Sequence, residues 1–190
     1  MSDLHREVGA CRVCAAHLPL EPRPIAQFSA TAQLLVIGQA PGRVTHESGV
    51  PFDDKAGDRL ADWLGIDEAM LHDPSRVAIV SMGLCYPGKA KGGDLPPRPE
   101  CAPLWHPRIL PTLPLDRLTL LVGTYAQRAY LPDTKGWTMQ ERVRRWREFL
   151  PRFIPLPHPS WRSNLFMRDN PWFENDLLPE LRKLVDQAIR

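Results

Sequence analysis

The chain has 190 residues, 43% hydrophobic and 24% charged, with a formal net charge of +2. That balance suits one globular domain spanning residues 1–190, and no run of about 18 apolar residues marks a membrane helix. The opening segment carries Asp3, Arg6 and Glu7 and lacks the apolar stretch of a secretory leader, so a cytoplasmic, reducing setting is expected, with a monomer as the default.

Proline is the compositional outlier, at 21 residues. It cannot donate to helix or sheet ladders, so extended loops must join the elements. In chain order, a short N-terminal helix leads into Cys11-Arg12-Val13-Cys14. Four apolar runs then predict buried strands: Leu34–Ile37, Val77–Val80, Leu118–Val122 and Phe153–Leu156. Pro155 restricts the last of these to an edge or a bulge. Between and after them, helical spacing covers Lys55–Leu64, Thr124–Tyr130, Met139–Phe149 and Asn175–Ile189, with Pro179 near the first turn of the last. Alternating strand and helix predicts a three-layer α/β/α fold around a four-stranded parallel sheet, with ligands bound at the carboxyl ends of the strands.

The four cysteines are Cys11, Cys14, Cys85 and Cys101. A C-x2-C turn brings two thiolates to one metal centre. The other pair spans a long loop rich in proline and glycine, unlike the tight second knuckle of a zinc ribbon. A 4Fe–4S cluster, a zinc ion and unrelated buried thiols all remain open on spacing alone.

Two loops carry chemistry. Gly38-Gln39-Ala40-Pro41-Gly42 follows the first strand and leads to Gly49-Val50-Pro51-Phe52. Such a loop exposes backbone N–H groups with little side chain in the way, and Phe52 offers a ring face to a flat ligand. His158-Pro159-Ser160 follows the last strand. A histidine held between prolines is oriented to donate to an oxygen that gains charge. Trp161, Arg162, Leu165, Phe166 and Arg168 follow, an interleaving of basic and large apolar residues that suits entry into a duplex. Between Met139 and Arg168 seven arginines face only Glu141 and Glu148, which suits a phosphate-binding surface or a solvated helix face.

Together the C-x2-C…C-x15-C pattern, the Gly-Gln-Ala-Pro-Gly…Gly-Val-Pro-Phe…Ala-Gly motif and the late His-Pro-Ser resemble the uracil-DNA glycosylase superfamily, closest to its iron–sulfur-containing family four. The resemblance runs from Cys11 to about Val185. It implies hydrolysis of the N-glycosidic bond of uracil or a related deaminated base in DNA, as in base excision repair. It implies a 4Fe–4S cluster on Cys11, Cys14, Cys85 and Cys101 that orders loops, with zinc as the alternative. Carried over by position, Gly38, Gln39, Ala40, Phe52 and Ser81 would contact the base, and His158 would bond to its oxygen. Arg162, Leu165 and Arg168 would meet DNA at the intercalating loop, and Arg144 and Arg145 would contact phosphates. The sequence also departs from the family pattern. Gln39 stands where members usually carry Glu, and Ala40 where another branch carries Asp. The water-positioning acid is thereby displaced, leaving His46 and Glu47 as the stand-ins. Ser81 occupies the position of the base-reading Asn and offers one hydroxyl in place of an amide. These departures motivate a second reading, a non-catalytic or weakly active nucleic-acid-binding relative of the same fold. A zinc-stapled structural domain is the third.

Overall fold

The structure, a computed structural model, describes residues 3–190; Met1 and Ser2, the start of the segment read for a leader, lie outside it. In chain order the strands are β1 (Leu34–Ile37), β2 (Val77–Ile79), β3 (Lys89–Ala90), β4 (Gly93–Asp94), β5 (Leu118–Val122) and β6 (Phe153–Leu156). The α-helices are α1 (Asp3–Gly9), α2 (Arg43–Ser48), α3 (Lys55–Leu64), α4 (Glu68–Leu71), α5 (Cys101–Ile109), α6 (Thr124–Tyr130), α7 (Met139–Arg144), α8 (Ser163–Asp169) and α9 (Leu178–Ile189).

Four of the strands make a parallel sheet in the order β2–β1–β5–β6, while β3 and β4 form a separate antiparallel hairpin. The sheet strands are apolar without alternation because both faces are covered. Leu34, Val36, Leu120 and Ile154 point into one core with Leu60, Trp63, Phe173, Leu181 and Val185, from α3, α9 and the turn before α9. Leu35, Ile37, Ala78 and Leu121 point into the other with Val8, Trp105, Ile109 and Ala126, from α1, α5 and α6. The expected α/β/α layering is therefore present, and β6 with its Pro155 lies at the sheet edge. Among the described residues, no helix is long and apolar enough to cross a membrane.

Three predicted elements differ in detail. The second strand ends at Ile79, although the Val80 N–H still bonds the Val36 carbonyl at 3.0 Å. The Met139–Phe149 segment is α7 followed by a 3-10 turn, Trp146–Phe149. Thr138 and Glu141 cap its start reciprocally, and the tightened turn carries the buried Trp146 below the buried Val143. The last helix is preceded by a wide π-type turn, Phe173–Leu177. Pro179 has no N–H to offer one turn back, so the regular ladder cannot run unbroken through it.

Candidate active site

The carboxyl ends of the strands carry the pocket. β1 runs into Gly38–Gly42, and this loop is pinned to the segment after β2 by two backbone bonds. The Met82 N–H donates to the Gly38 carbonyl and the Gly83 N–H to the Gln39 carbonyl, each at 2.9 Å. The Gln39 side chain donates to the Leu95 carbonyl at 3.1 Å, tying the same loop to the chain just beyond β4. Gly38 is a close-approach glycine: a side chain there would begin 3.0 Å from Ser81 Oγ and 3.3 Å from the tip of the Phe52 ring. The absent side chain lets the aromatic ring and the hydroxyl meet across one wall.

Phe52 itself is held with φ +57°, a left-handed backbone rare for a bulky residue. The next helix locks it there. A side chain on Gly57 would begin 1.7 Å from the Phe52 carbonyl oxygen, so only glycine lets the first turn of α3 pack against this strained residue. Asp54 starts that turn, accepting from the Ala56 and Gly57 N–H groups at 2.9 and 3.0 Å. Such a cap is worth about 1 kcal/mol.

Ser81 is anchored from behind. His106 Nε2 bonds the Ser81 carbonyl at 3.0 Å, so this nitrogen carries the ring proton. Nδ1 is then the acceptor for the Tyr130 hydroxyl, 2.5 Å away. Burial lowers the His106 pKa, in keeping with a neutral ring that relays this contact.

The resulting pocket has a volume of about 70 Å³ and is lined by Gln39, Ala40, Pro41, Gly42, Thr45, Pro51, Phe52, Asp54, Ser81, Asp94 and His158, among others. The His158 pKa is lowered by burial, with the negative fields of Asp54 and Asp94 pulling the other way. The net direction favours the neutral ring. The Oδ2 atoms of Asp54 and Asp94 each stand 3.7 Å from the point where a side chain on Gly42 would begin, so the two carboxylates flank that open edge. The Asp94 pKa is raised, by desolvation first and by Asp54 as well, against the pull of Lys89 and His158.

The loop after β6 is clamped from below. Arg59 of α3 donates to the Ser160 carbonyl at 2.5 Å and to Ser163 Oγ at 2.7 Å. Beside the pocket opens a cleft of about 840 Å³ lined by Gln39, the β3–β4 hairpin, His158 and the Ser160–Ser163 stretch. Lys89, Lys91 and Arg162 give it positive charge, and Trp161 stands in it 75% exposed. Arg162 donates to the Gly92 carbonyl and so bridges the loop to the hairpin.

Of the residues singled out in the sequence, Gln39, Ala40, Phe52, Ser81 and His158 meet in the pocket with Gly38 behind them, and Arg162 lines the cleft. His46 and Glu47 do not reach the pocket. Glu47 pairs with Arg43 on the exposed side of α2, and the His46 ring lies 6.1 Å from Tyr86 with its Nδ1 buried and unpartnered. The helical register of α2 explains this, since only Thr45 of that helix faces the pocket. Leu165 is 56% exposed and Arg168 pairs with Asp169; neither lines pocket or cleft. Arg144 lies over the Trp172 ring, and Arg145 lies over Trp137 while pairing with Glu148, also away from the cleft. Sequence reasoning missed Asp54 and Asp94. Asp54 had a legible signal, an acid at the entry to a helical run. Asp94 had none, because it sits in a proline- and glycine-rich loop without periodicity.

The four cysteines converge on a second, separate cavity, which Cys11, Cys14, Cys85 and Cys101 all line. The Leu84 N–H points at Cys101 Sγ, 3.2 Å away. Burial pushes the Cys85 thiol up to about 11 and the Cys101 thiol up to about 12. Among the described residues, no three His, Cys, Asp or Glu side chains are arranged to hold a metal ion.

Fold and site define an α/β domain with a small polar pocket at the strand ends, opening into a cationic groove. The family model for the uracil DNA glycosylase superfamily matches residues 25–182, and the chain belongs to that superfamily. Its members are glycosylase hydrolases that act on DNA.

Proposed function

We propose that this chain is a monofunctional DNA glycosylase that removes uracil or a related deaminated base. The observation that carries the reading is the partly buried His158 beside Phe52, Ser81, Asp54 and Asp94 in one pocket. A base drawn out of the DNA would stack on Phe52 while its sugar–phosphate backbone lies along Lys89, Lys91 and Arg162 in the cleft. As the N-glycosidic bond breaks, electrons pass to the base and charge grows on its carbonyl oxygen. A neutral imidazole N–H of His158 stabilises that charge without having to give up its proton. Water then adds to the sugar carbon left positive and loses a proton to a carboxylate. With Ala40 unable to serve, Asp94 is our choice for that carboxylate, because one oxygen of Asp54 is already committed to capping α3. Ser81 supplies a single hydroxyl for reading the base edge.

The nearest branch on this reading is the iron–sulfur-containing one. An all-thiol set with a backbone N–H aimed at one sulfur suits a 4Fe–4S cluster held by Cys11, Cys14, Cys85 and Cys101. The long proline- and glycine-rich loop between Cys85 and Cys101 favours this over zinc, whose ribbons close with two tight knuckles. The cluster would serve to cross-link the N-terminal segment to the loop that carries the β3–β4 hairpin.

The reading is tested by incubating the protein, purified without oxygen, with oligonucleotides bearing uracil, hypoxanthine or xanthine and identifying any free base by mass spectrometry. Release of the intact base with an abasic site left behind is the expected result. Asp54→Asn keeps the cap while removing the charge, so comparing it with Asp94→Asn separates the two acids. The larger loss of turnover is expected at Asp94. Tight binding of such DNA with no base released would favour the non-catalytic relative, for which Ala40 and Ser81 are the motivating residues.

A further inference from the structure

A largely apolar cavity lies on the face of the sheet that α5 and α6 cover. It has a volume of about 580 Å³ and is walled by Ile37, Met82, Leu110, Tyr130 and Phe153, among others. Two guanidiniums stand at its amino-terminal strand edge. Arg117 directly precedes β5 and Arg152 directly precedes β6, and these strands are paired neighbours. No carboxylate lines the cavity, and among the described residues neither arginine has an ion-pair partner. Arg117 is 8% exposed, and its Nε is buried with no hydrogen-bond partner. Its one side-chain bond runs to the Pro114 carbonyl at 2.7 Å.

A buried cation with an unused donor, next to a second cation, is an uncompensated arrangement. Burial and the field of Arg152 both disfavour its charge. An anion bound between the two guanidiniums would relieve both costs. The walls beyond them are apolar and partly aromatic, and the size falls within the range of small-molecule sites. We infer that this cavity is a binding site for a small organic acid, in which Arg117 and Arg152 take the carboxylate and the apolar walls take an aromatic or branched hydrocarbon body. The inference does not rest on the glycosylase reading: the cavity shares no lining residue with the pocket or the cleft, although His106 and Tyr130, which hold Ser81 from behind, stand in its wall.

The test is calorimetric titration of the full-length protein with 2-naphthoate and with 2-naphthalenemethanol, which match in size and differ in charge. The acid is expected to bind about tenfold or more tightly than the alcohol, the loss that follows from removing a charge-assisted bond. Arg117→Met should abolish that preference while leaving alcohol binding unchanged, and Arg152→Gln should weaken the acid more modestly. Raising the salt concentration should weaken the acid alone. Equal affinity for acid and alcohol would reduce the cavity to a nonspecific apolar hollow and overturn the inference. So would failure of the acid to bind, or an Arg117→Met variant that keeps full affinity for the acid. Should Arg117→Met not fold, Arg152→Gln and the salt series decide the matter in the same terms.

Discussion

On the proposed reading His158 is the residue on which the chemistry turns, and its environment makes its protonation state a definite expectation. Burial stabilises the neutral ring, while Asp54 and Asp94 favour the charged one, and burial prevails. A nuclear magnetic resonance titration should therefore place its midpoint below the ordinary 6.5. The native state then binds fewer protons than the unfolded chain in that window. Its contribution to stability is present above pH 6.5 and is lost as pH falls through the lower, folded pKa. A midpoint above 6.5 would mean that the carboxylates prevail, and the ring would enter the reaction as a cation. Phe52 and Ser81 gain their positions from what is missing at Gly38 and Gly57. A Gly57→Ala variant should displace Phe52 and destabilise the domain by about 1–3 kcal/mol, measured by denaturant unfolding.

At the scale of elements, the site is a meeting of loops, each held by a neighbour. The loop bearing His158 is fastened to α3 through Arg59. Arg59→Met should leave the melting temperature within a few degrees of the parent yet lower turnover, because a small displacement of the histidine is costly. An unchanged rate would show that the prolines on either side of His158 hold it unaided. This scale also marks what the sequence could disclose. The strands were legible because a sheet covered on both faces must be continuously apolar, and α3 because its spacing and its terminators agree. His158 and Ser81 were legible as residues at strand ends, and Phe52 as the ring held by Pro51 in the Gly49–Phe52 segment. The α2 register was not, so His46 and Glu47 looked available for water when only Thr45 turns inward. Asp94 was hidden for a different reason. Its place depends on how the long Cys85–Cys101 loop folds back over the first strand, a tertiary contact with no local periodicity. The arginines of α7 illustrate the converse. Their number drew attention, but Trp137, Trp172 and Glu148 already engage Arg144 and Arg145. The cleft's positive charge comes from Lys89, Lys91 and Arg162 instead.

At the scale of the molecule, the cysteine cavity and the pocket are joined through the chain. Cys85 and Cys101 bracket the hairpin that carries Asp94, and α5 begins at Cys101 and delivers His106 to the back of Ser81. The order of the pocket should then depend on the proposed cluster. Protein prepared without oxygen should carry about four irons and as many acid-labile sulfides per chain. Stripping the metal should lower the melting temperature and turnover together. Stoichiometric zinc in such a preparation would instead assign the cavity to a single ion.

The account rests most directly on a single-turnover comparison of the parent with His158→Ala on uracil-, hypoxanthine- and xanthine-containing DNA, with abasic sites revealed by hot alkali. Cleavage at one or more of these bases is predicted, falling by about a hundredfold or more in the variant while its circular dichroism is unchanged. A folded, metal-loaded parent that leaves all three bases in place, or a His158→Ala variant as fast as the parent, would contradict it.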